Sequence, residues 1–441
     1  MTIALLLAQL AICLAILWKE LWVNKCRRIA TSAFFGFYLV VFVFEPLVIH
    51  LFYGGPRSII RGSAIVYADE YVFFVYNMMG MALLASAWML SLTTTARSTG
   101  ALAPEAGIAQ QLLDLKNPIG ILVPVGFWLF FQSTGLSMAE LLVASRFAWF
   151  ESASYNALQA VAAAYLIALT PLYFFLFLQS RKRNAVDYLV LFLVVTALIM
   201  YGVVTKDRKW IFYLLSGWLA SAYLKGGRSV RIGAKGAIIL SVIVAVILLS
   251  QILRDILPAL LTEQDSGAGD SFGKSMSRLF VESDLAYFYS ASIEAIHQNV
   301  NNAFYIPLGL VRRLFLFFVP TSISFGMKVE DMSAIFSDIV SGGDDVRRGN
   351  MPPGMFGLFI LSFGFIPSVL LMPALACGLR LLDTVLLRPM NLLTMNVLSF
   401  LLVGVVFLFR GDESTVIYFP IFNLLVSAMW AVAARARRSL V

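Results

Sequence analysis

Apolar runs of roughly 17–23 residues recur along the whole chain, and each is long enough to cross a hydrocarbon core of about 30 Å at 1.5 Å per residue. They fall at about 2–18, 31–53, 72–93, 117–133, 157–179, 187–204, 210–224, 236–253, 354–377, 391–409 and 417–434. The backbone polar groups of such segments must be satisfied internally, so they cross as helices. A composition of 60% hydrophobic and 13% charged residues excludes a soluble globular protein. The expectation is an all-α, polytopic membrane bundle of about eleven spans, the seventh of them short.

Orientation follows from the short loops. With the N-terminus outside, loops 19–30, 94–116, 180–186, 225–235, 378–390 and the tail 435–441 face the cytoplasm and hold 18 of the 33 basic residues. Those segments carry only four acids. The net charge of +8 is therefore a topology signal, and no basic run interleaved with stacking aromatics points to nucleic acid. The first apolar run lacks a basic lead-in and a small-residue cleavage site, so it reads as a retained span.

One stretch departs from the pattern. Residues 258–353 carry eleven acidic and seven basic side chains and no cysteine. The chain then divides into an N-terminal bundle at 1–257, a large periplasmic loop at 258–353 and a C-terminal bundle at 354–441. Within the loop, 277–298 reads as an amphipathic helix, with Phe280, Leu285, Phe288, Ile293 and Ile296 on its apolar stripe. The run from Ala303 to Pro320 holds Arg312 and Arg313 at its middle, which suits an interfacial or re-entrant helix better than a span. Together these pieces suggest a lid.

Chemistry-bearing residues gather on the same side. The turn Thr205-Lys206-Asp207-Arg208-Lys209-Trp210 places three basic residues outside, against the bias. Interfacial anchoring accounts for Lys206 and Lys209 as well as ligand binding does. Arg410 closes the tenth span in Phe409-Arg410-Gly411-Asp412-Glu413. Snorkelling is one account of it. The other is a ligand arginine beside a glycine that permits close backbone approach and an acid, Asp412, able to orient the guanidinium. Arg312, Arg313, Arg347 and Arg348 complete the outward arginines, with Lys328 nearby. An arginine fork suits phosphate oxygens, so converging arginines at headgroup level suggest a ligand both lipidic and phosphorylated. Glu282, Asp284 and His297 are the candidate bases in the loop, and Glu45 is a costly acid inside the second span. Asp344-Asp345 and Glu330-Asp331 are the adjacent acid pairs in the large loop, read as solvated turns or metal contacts. With two histidines and three scattered cysteines, a zinc site is not expected. Walker A, dinucleotide-binding and HExxH motifs are absent from the sequence.

In order and placement, several pieces resemble the Wzy-type oligosaccharide repeat-unit polymerases. They are Lys206–Trp210, Arg312-Arg313-Leu314-Phe315-Leu316-Phe317-Phe318-Val319-Pro320 with Lys328, Met351–Gly357 leading into Ser362–Ile366, and Phe409-Arg410-Gly411-Asp412. Matching positions are Arg208, Arg313, Pro353, Gly364 and Arg410. The resemblance implies a GT-C-like bundle in a bacterial inner membrane, with the N-terminus periplasmic and the C-terminus cytoplasmic. It implies transfer of a growing glycan from undecaprenyl diphosphate to a new lipid-linked repeat unit, without metal, nucleotide or other cofactor. It assigns Arg208, Arg313 and Arg410 to catalysis with Glu282, Asp284 or His297 as base. Arg312, Lys328, Arg347, Arg348, Lys209 and Asp412 are assigned to substrate binding. Undecaprenyl-diphosphate-linked oligosaccharides, the lipid bilayer, a chain-length regulator and a flippase are the implied partners. An O-antigen ligase acting on lipid A core is the sister alternative, and a flippase or other transporter is the alternative from another class.

Overall fold

The structure, a computed structural model, describes residues 2–52, 54–55, 70–93, 113–143, 156–180, 182–205, 209–225, 284–316, 319, 324, 327–329, 331–341, 351–388 and 391–439. These residues form helices and their connections, with no strand among them. Among them eight helices are long and apolar enough to cross a membrane: Thr2–Val23, Ile29–Phe52, Glu70–Leu92, Leu158–Gln179, Ala185–Thr205, Phe365–Leu386, Leu392–Arg410 and Thr415–Ala433. The described residues are all-helical, and their apolar helices make the chain a multi-pass membrane protein. The expected span at 236–253 lies outside the described residues. Helices do form at Lys116–Thr134 and Lys209–Lys225, at the positions of two further expected spans.

One boundary needs correction. The run 354–377 is not a single span: a helix covers Gly354–Phe363, and a second starts at Phe365 and continues to Leu386. Gly364 separates them with a φ of +77°, a conformation open to glycine and strained for other residues. Hydropathy alone cannot register such a break, because the residues on both sides remain apolar.

The contacts group the chain into two compact units. One contains residues 1–97, 267–384 and 404–417, and the other contains 98–266, 385–403 and 418–441. In the first, Phe42 packs with its ring centroid 5.1 Å from Phe356, 5.3 Å from Phe409 and 5.7 Å from Tyr38. A buried polar chain crosses the same core. Tyr38 donates to Gln9 Oε1 at 2.7 Å, and Gln9 Nε2 donates to Asn77 Oδ1 at 2.8 Å. Pro46 lacks the N–H that would bond the carbonyl of Phe42 one turn earlier. The helix widens to a π-turn over Leu39–Phe44, and the Tyr76 hydroxyl donates to that carbonyl at 2.9 Å.

The opposite end of this unit is fastened by charge. Arg28 and Glu20 pair at 2.9 Å, both about 1% exposed, and Asn24 Nδ2 donates to the other Glu20 oxygen at 2.9 Å. Arg28 provides no side-chain cap for the helix that starts at Ile29. The Asp383 carboxylate does so from a distant span, accepting Ala30 N–H at 2.8 Å, Thr31 N–H at 3.2 Å and the Thr31 hydroxyl at 2.5 Å. A carboxylate there satisfies orphan donors and meets the positive end of the helix dipole.

Of the helix expected at 277–298, residues 277–283 lie outside the described residues and the rest falls within the observed helix Asp284–Asn302, which is no lid. From Phe288 to Ile296 every residue is buried inside the first unit. Ser292 and Ala295 face Gly354 and Gly357: a Cβ on Gly354 would lie 2.3 Å from Ser292 Oγ, and one on Gly357 would lie 2.7 Å from Ala295 Cβ. Small hydroxyl and methyl side chains let this helix be enclosed on all faces, whereas a pattern of polar against apolar letters suggests one wet face.

In the second unit Lys116 Nζ reaches Asp187 at 2.7 Å and Ser180 Oγ at 3.0 Å, and Asn117 donates to the same carboxylate at 2.8 Å. The intramembrane acid Asp187 is thus paired, as a buried carboxylate must be.

Candidate anion site at the Arg410 turn

Four consecutive residues end the Leu392–Arg410 span and begin the next helix, and three of them are fastened. Gly411 has a φ of +79°, and its α-carbon lies against the backbone of Gly354, where an added Cβ would sit 2.6 Å from the carbonyl oxygen. Asp412 caps the Glu413–Ser439 helix: its two oxygens accept the Thr415 N–H at 3.0 Å and the Thr415 hydroxyl at 2.9 Å. Glu413 is 2% exposed; its Oε1 accepts Met332 N–H at 3.1 Å and lies 2.9 Å from Arg313 Nε. That last approach is a charge contact whose angle makes no hydrogen bond, and Glu413 Oε2 has no hydrogen-bond partner.

Arg410 is the exception. Half-buried, it makes no hydrogen bond or ion pair with a described residue. The sequence points to Asp412 as the group orienting its guanidinium, but the Asp412 oxygens are engaged by Thr415. The close backbone approach expected of the glycine is present.

Arg313 has the opposite character. Its Nη2 pairs with Asp331 at 2.8 Å, Nη1 donates to the Val329 carbonyl at 3.3 Å, and Nε faces Glu413. Arg312 Nε donates to the Met327 carbonyl at 2.9 Å, and Lys328 Nζ to the Val319 carbonyl at 2.9 Å. Arg312 and Arg313, expected to serve the substrate phosphate, thus tie Met327, Val329 and Asp331 to the Gly309–Leu316 helix. That helix exposes Leu314 and, at 74%, Phe315. It begins at Gly309, six residues into the apolar run that starts at Ala303.

His297 lies half-buried near the polar end of its helix, with Nδ1 2.8 Å from Asn301 Nδ2. Asp284 is the first residue of the same helix. Lys209 opens the Lys209–Lys225 helix in the second unit and is half-buried. Arg208, Glu282, Arg347 and Arg348 lie outside the described residues, as do Lys206, Asp207 and the Asp344-Asp345 pair. Among the described residues no group of three or more His, Cys, Asp or Glu side chains is arranged to hold a metal ion.

The residues that sequence reasoning passed over are Glu413 and, as an arginine partner, Asp331. Burial pushes the Glu413 carboxyl up to about 8, helped by the Asp331 charge and opposed by Arg313 and the Met332 N–H. Its reference value is 4.5. Between these two values the folded protein holds a proton that the unfolded chain has released, so stability falls as pH rises through this window. Below about 4.5 the group is protonated in both states and the penalty is absent; above about 8 it is fully present. Thermal melts of the detergent-solubilised protein between pH 5 and pH 8 should show this decline. Glu413→Gln should flatten it by an amount on the order of a few kcal/mol. Equal slopes for the two proteins would remove Glu413 as its source.

Compared with protein-family models, curated proteins and solved structures, the chain finds no match.

Proposed function

We propose that this membrane protein polymerises undecaprenyl-diphosphate-linked oligosaccharide repeat units on the periplasmic side of a bacterial inner membrane. The observation that carries this reading is the Arg410 turn: a guanidinium with no partner among the described residues, on a backbone whose next three residues are all fastened. Arginine remains charged regardless of surroundings and offers a planar fork to a diphosphate. The positive-inside bias puts this end of the Leu392–Arg410 span outside, with the N-terminus periplasmic and the C-terminus cytoplasmic. No ATP is available there, so the energy for transfer must already reside in the lipid–diphosphate linkage.

In the proposed reaction, a hydroxyl of the incoming lipid-linked unit attacks the anomeric carbon of the growing glycan. The bond from that carbon to the diphosphate oxygen breaks, its electron pair stays on undecaprenyl diphosphate, and the hydroxyl proton passes to a base. Arg410 stabilises the charge that develops on the departing diphosphate. A chain-length regulator and a flippase are the partners such a reaction needs on either side.

The decisive experiment is an electrophoretic ladder of surface glycan from a strain lacking this protein. Glycan capped with a single repeat unit supports the polymerase. Complete loss of surface glycan would point instead to the ligase alternative. Lipid-linked units trapped on the cytoplasmic side would point to the flippase.

A further inference from the structure

Arg313 and Arg410 both belong to the first unit, and Arg313 reaches Glu413 three residues after Arg410, yet their surroundings are opposite. All three guanidinium nitrogens of Arg313 have partners within 3.3 Å: Asp331, the Val329 carbonyl and Glu413. A diphosphate could engage Arg313 only by displacing a carboxylate already paired at 2.8 Å. Glu413, held by Arg313 and by the Met332 N–H, is three residues beyond Arg410 in a turn that has no slack. Gly411 between them cannot carry even a Cβ against Gly354.

We propose that Arg313, acting through Glu413, is a positioning residue for Arg410 and not itself a ligand of the diphosphate. This rests on the reading that Arg410 holds that group. The clasp joins three stretches of chain: the Gly309–Leu316 helix that carries Arg313, the start of the Met332–Ser341 helix with Asp331 just before it, and the Arg410–Glu413 turn. Removing Arg313 leaves Glu413 with the Met332 N–H as its one fastening in the described structure. The turn then gains freedom, and the Arg410 guanidinium loses its fixed origin.

A double-mutant cycle tests this on the full-length protein in native membranes, with turnover of lipid-linked repeat units as the readout. Arg313→Ala alone should reduce turnover about tenfold or more, and Arg313→Lys should recover part of it. In an Arg410→Lys background, which keeps a cation and measurable turnover, Arg313→Ala should cost only about two- to threefold, because coupled residues do not act additively. A purely structural role would multiply the same factor into both backgrounds, and that result overturns the proposal, as would full activity of Arg313→Ala. Where Arg313→Ala fails to accumulate, Glu413→Gln takes its place in the cycle. The glutamine retains an acceptor for the Met332 N–H but presents an amide in place of the carboxyl facing Arg313. Wild-type turnover in both Arg410→Ala and Arg410→Lys would remove the diphosphate role of Arg410 and this inference together, whereas absence of turnover by the unaltered protein would remove the function reading. An essential Arg410 with multiplying factors removes the positioning inference alone.

Discussion

Arg28→Ala is expected to destabilise the protein by about 3–5 kcal/mol, the usual cost of breaking a buried ion pair from one side. Arg28 and Glu20 are each about 1% exposed and 2.9 Å apart. Truncating the arginine leaves the buried Glu20 carboxylate with the Asn24 amide and the neighbouring Arg380 charge, and the loss of its direct ion-pair partner causes most of the destabilisation. The pair also sits where the second span begins, between the Lys19–Val23 π-turn and the Asp383-capped start of the Ile29–Tyr38 helix. Membrane abundance and the melting temperature in detergent should both fall. A double change, Glu20→Gln with Arg28→Met, should restore part of the loss, since removing both charges avoids the unpaired one. A melting temperature for Arg28→Ala equal to that of the parent protein would mean that the pair is hydrated and contributes little.

That pair shows where sequence reading stops. Counted by position, Arg28 and Lys19 belong to a basic loop that sets orientation, and Glu20 is a minor exception; the structure makes Arg28 and Glu20 a buried latch. Seven of the expected spans (2–18, 31–53, 72–93, 157–179, 187–204, 391–409 and 417–434) coincide closely with observed helices, because hydropathy over about 20 residues is a property of the local chain. Features that depend on a single φ or on a distant partner leave no such trace. Gly364 breaks a run that stays apolar throughout, and Asp383 caps a helix more than 300 residues away in sequence.

The candidate site was legible to the same degree. Arg410 and Gly411 stand together in sequence, and the structure uses the glycine as its spacing suggests. Arg313 looks equivalent to Arg410 in sequence because both are outward arginines near an apolar run. The difference between them lies in Asp331 and Glu413, whose approach to Arg313 only the fold reveals. Glu413 carries a faint signal, an acid directly after a helix-capping aspartate at the start of a span. Such an acid is also what the dipole favours at any helix N-terminus, so the signal is not specific.

Arg410→Ala is expected to lower extension of lipid-linked repeat units about ten- to hundredfold while leaving the amount of folded protein unchanged. The loss follows from one charge-assisted contact of about 1.5–3 kcal/mol made to the departing diphosphate. Unchanged abundance follows because removing the guanidinium breaks no bond to a described residue. Surface glycan from a strain carrying only this variant should collapse toward single repeat units on a gel. Arg410→Lys separates the ligand role from simple anchoring. A lysine snorkels to the headgroups as well as an arginine does, so an anchor would tolerate it fully. A diphosphate contact would not, because the ammonium keeps the charge but loses the planar fork that meets two oxygens at once. The lysine variant should therefore fall between alanine and wild type. A normal ladder from Arg410→Ala would take the diphosphate away from this turn and leave Asp412 and Gly411 as helix-joining residues only.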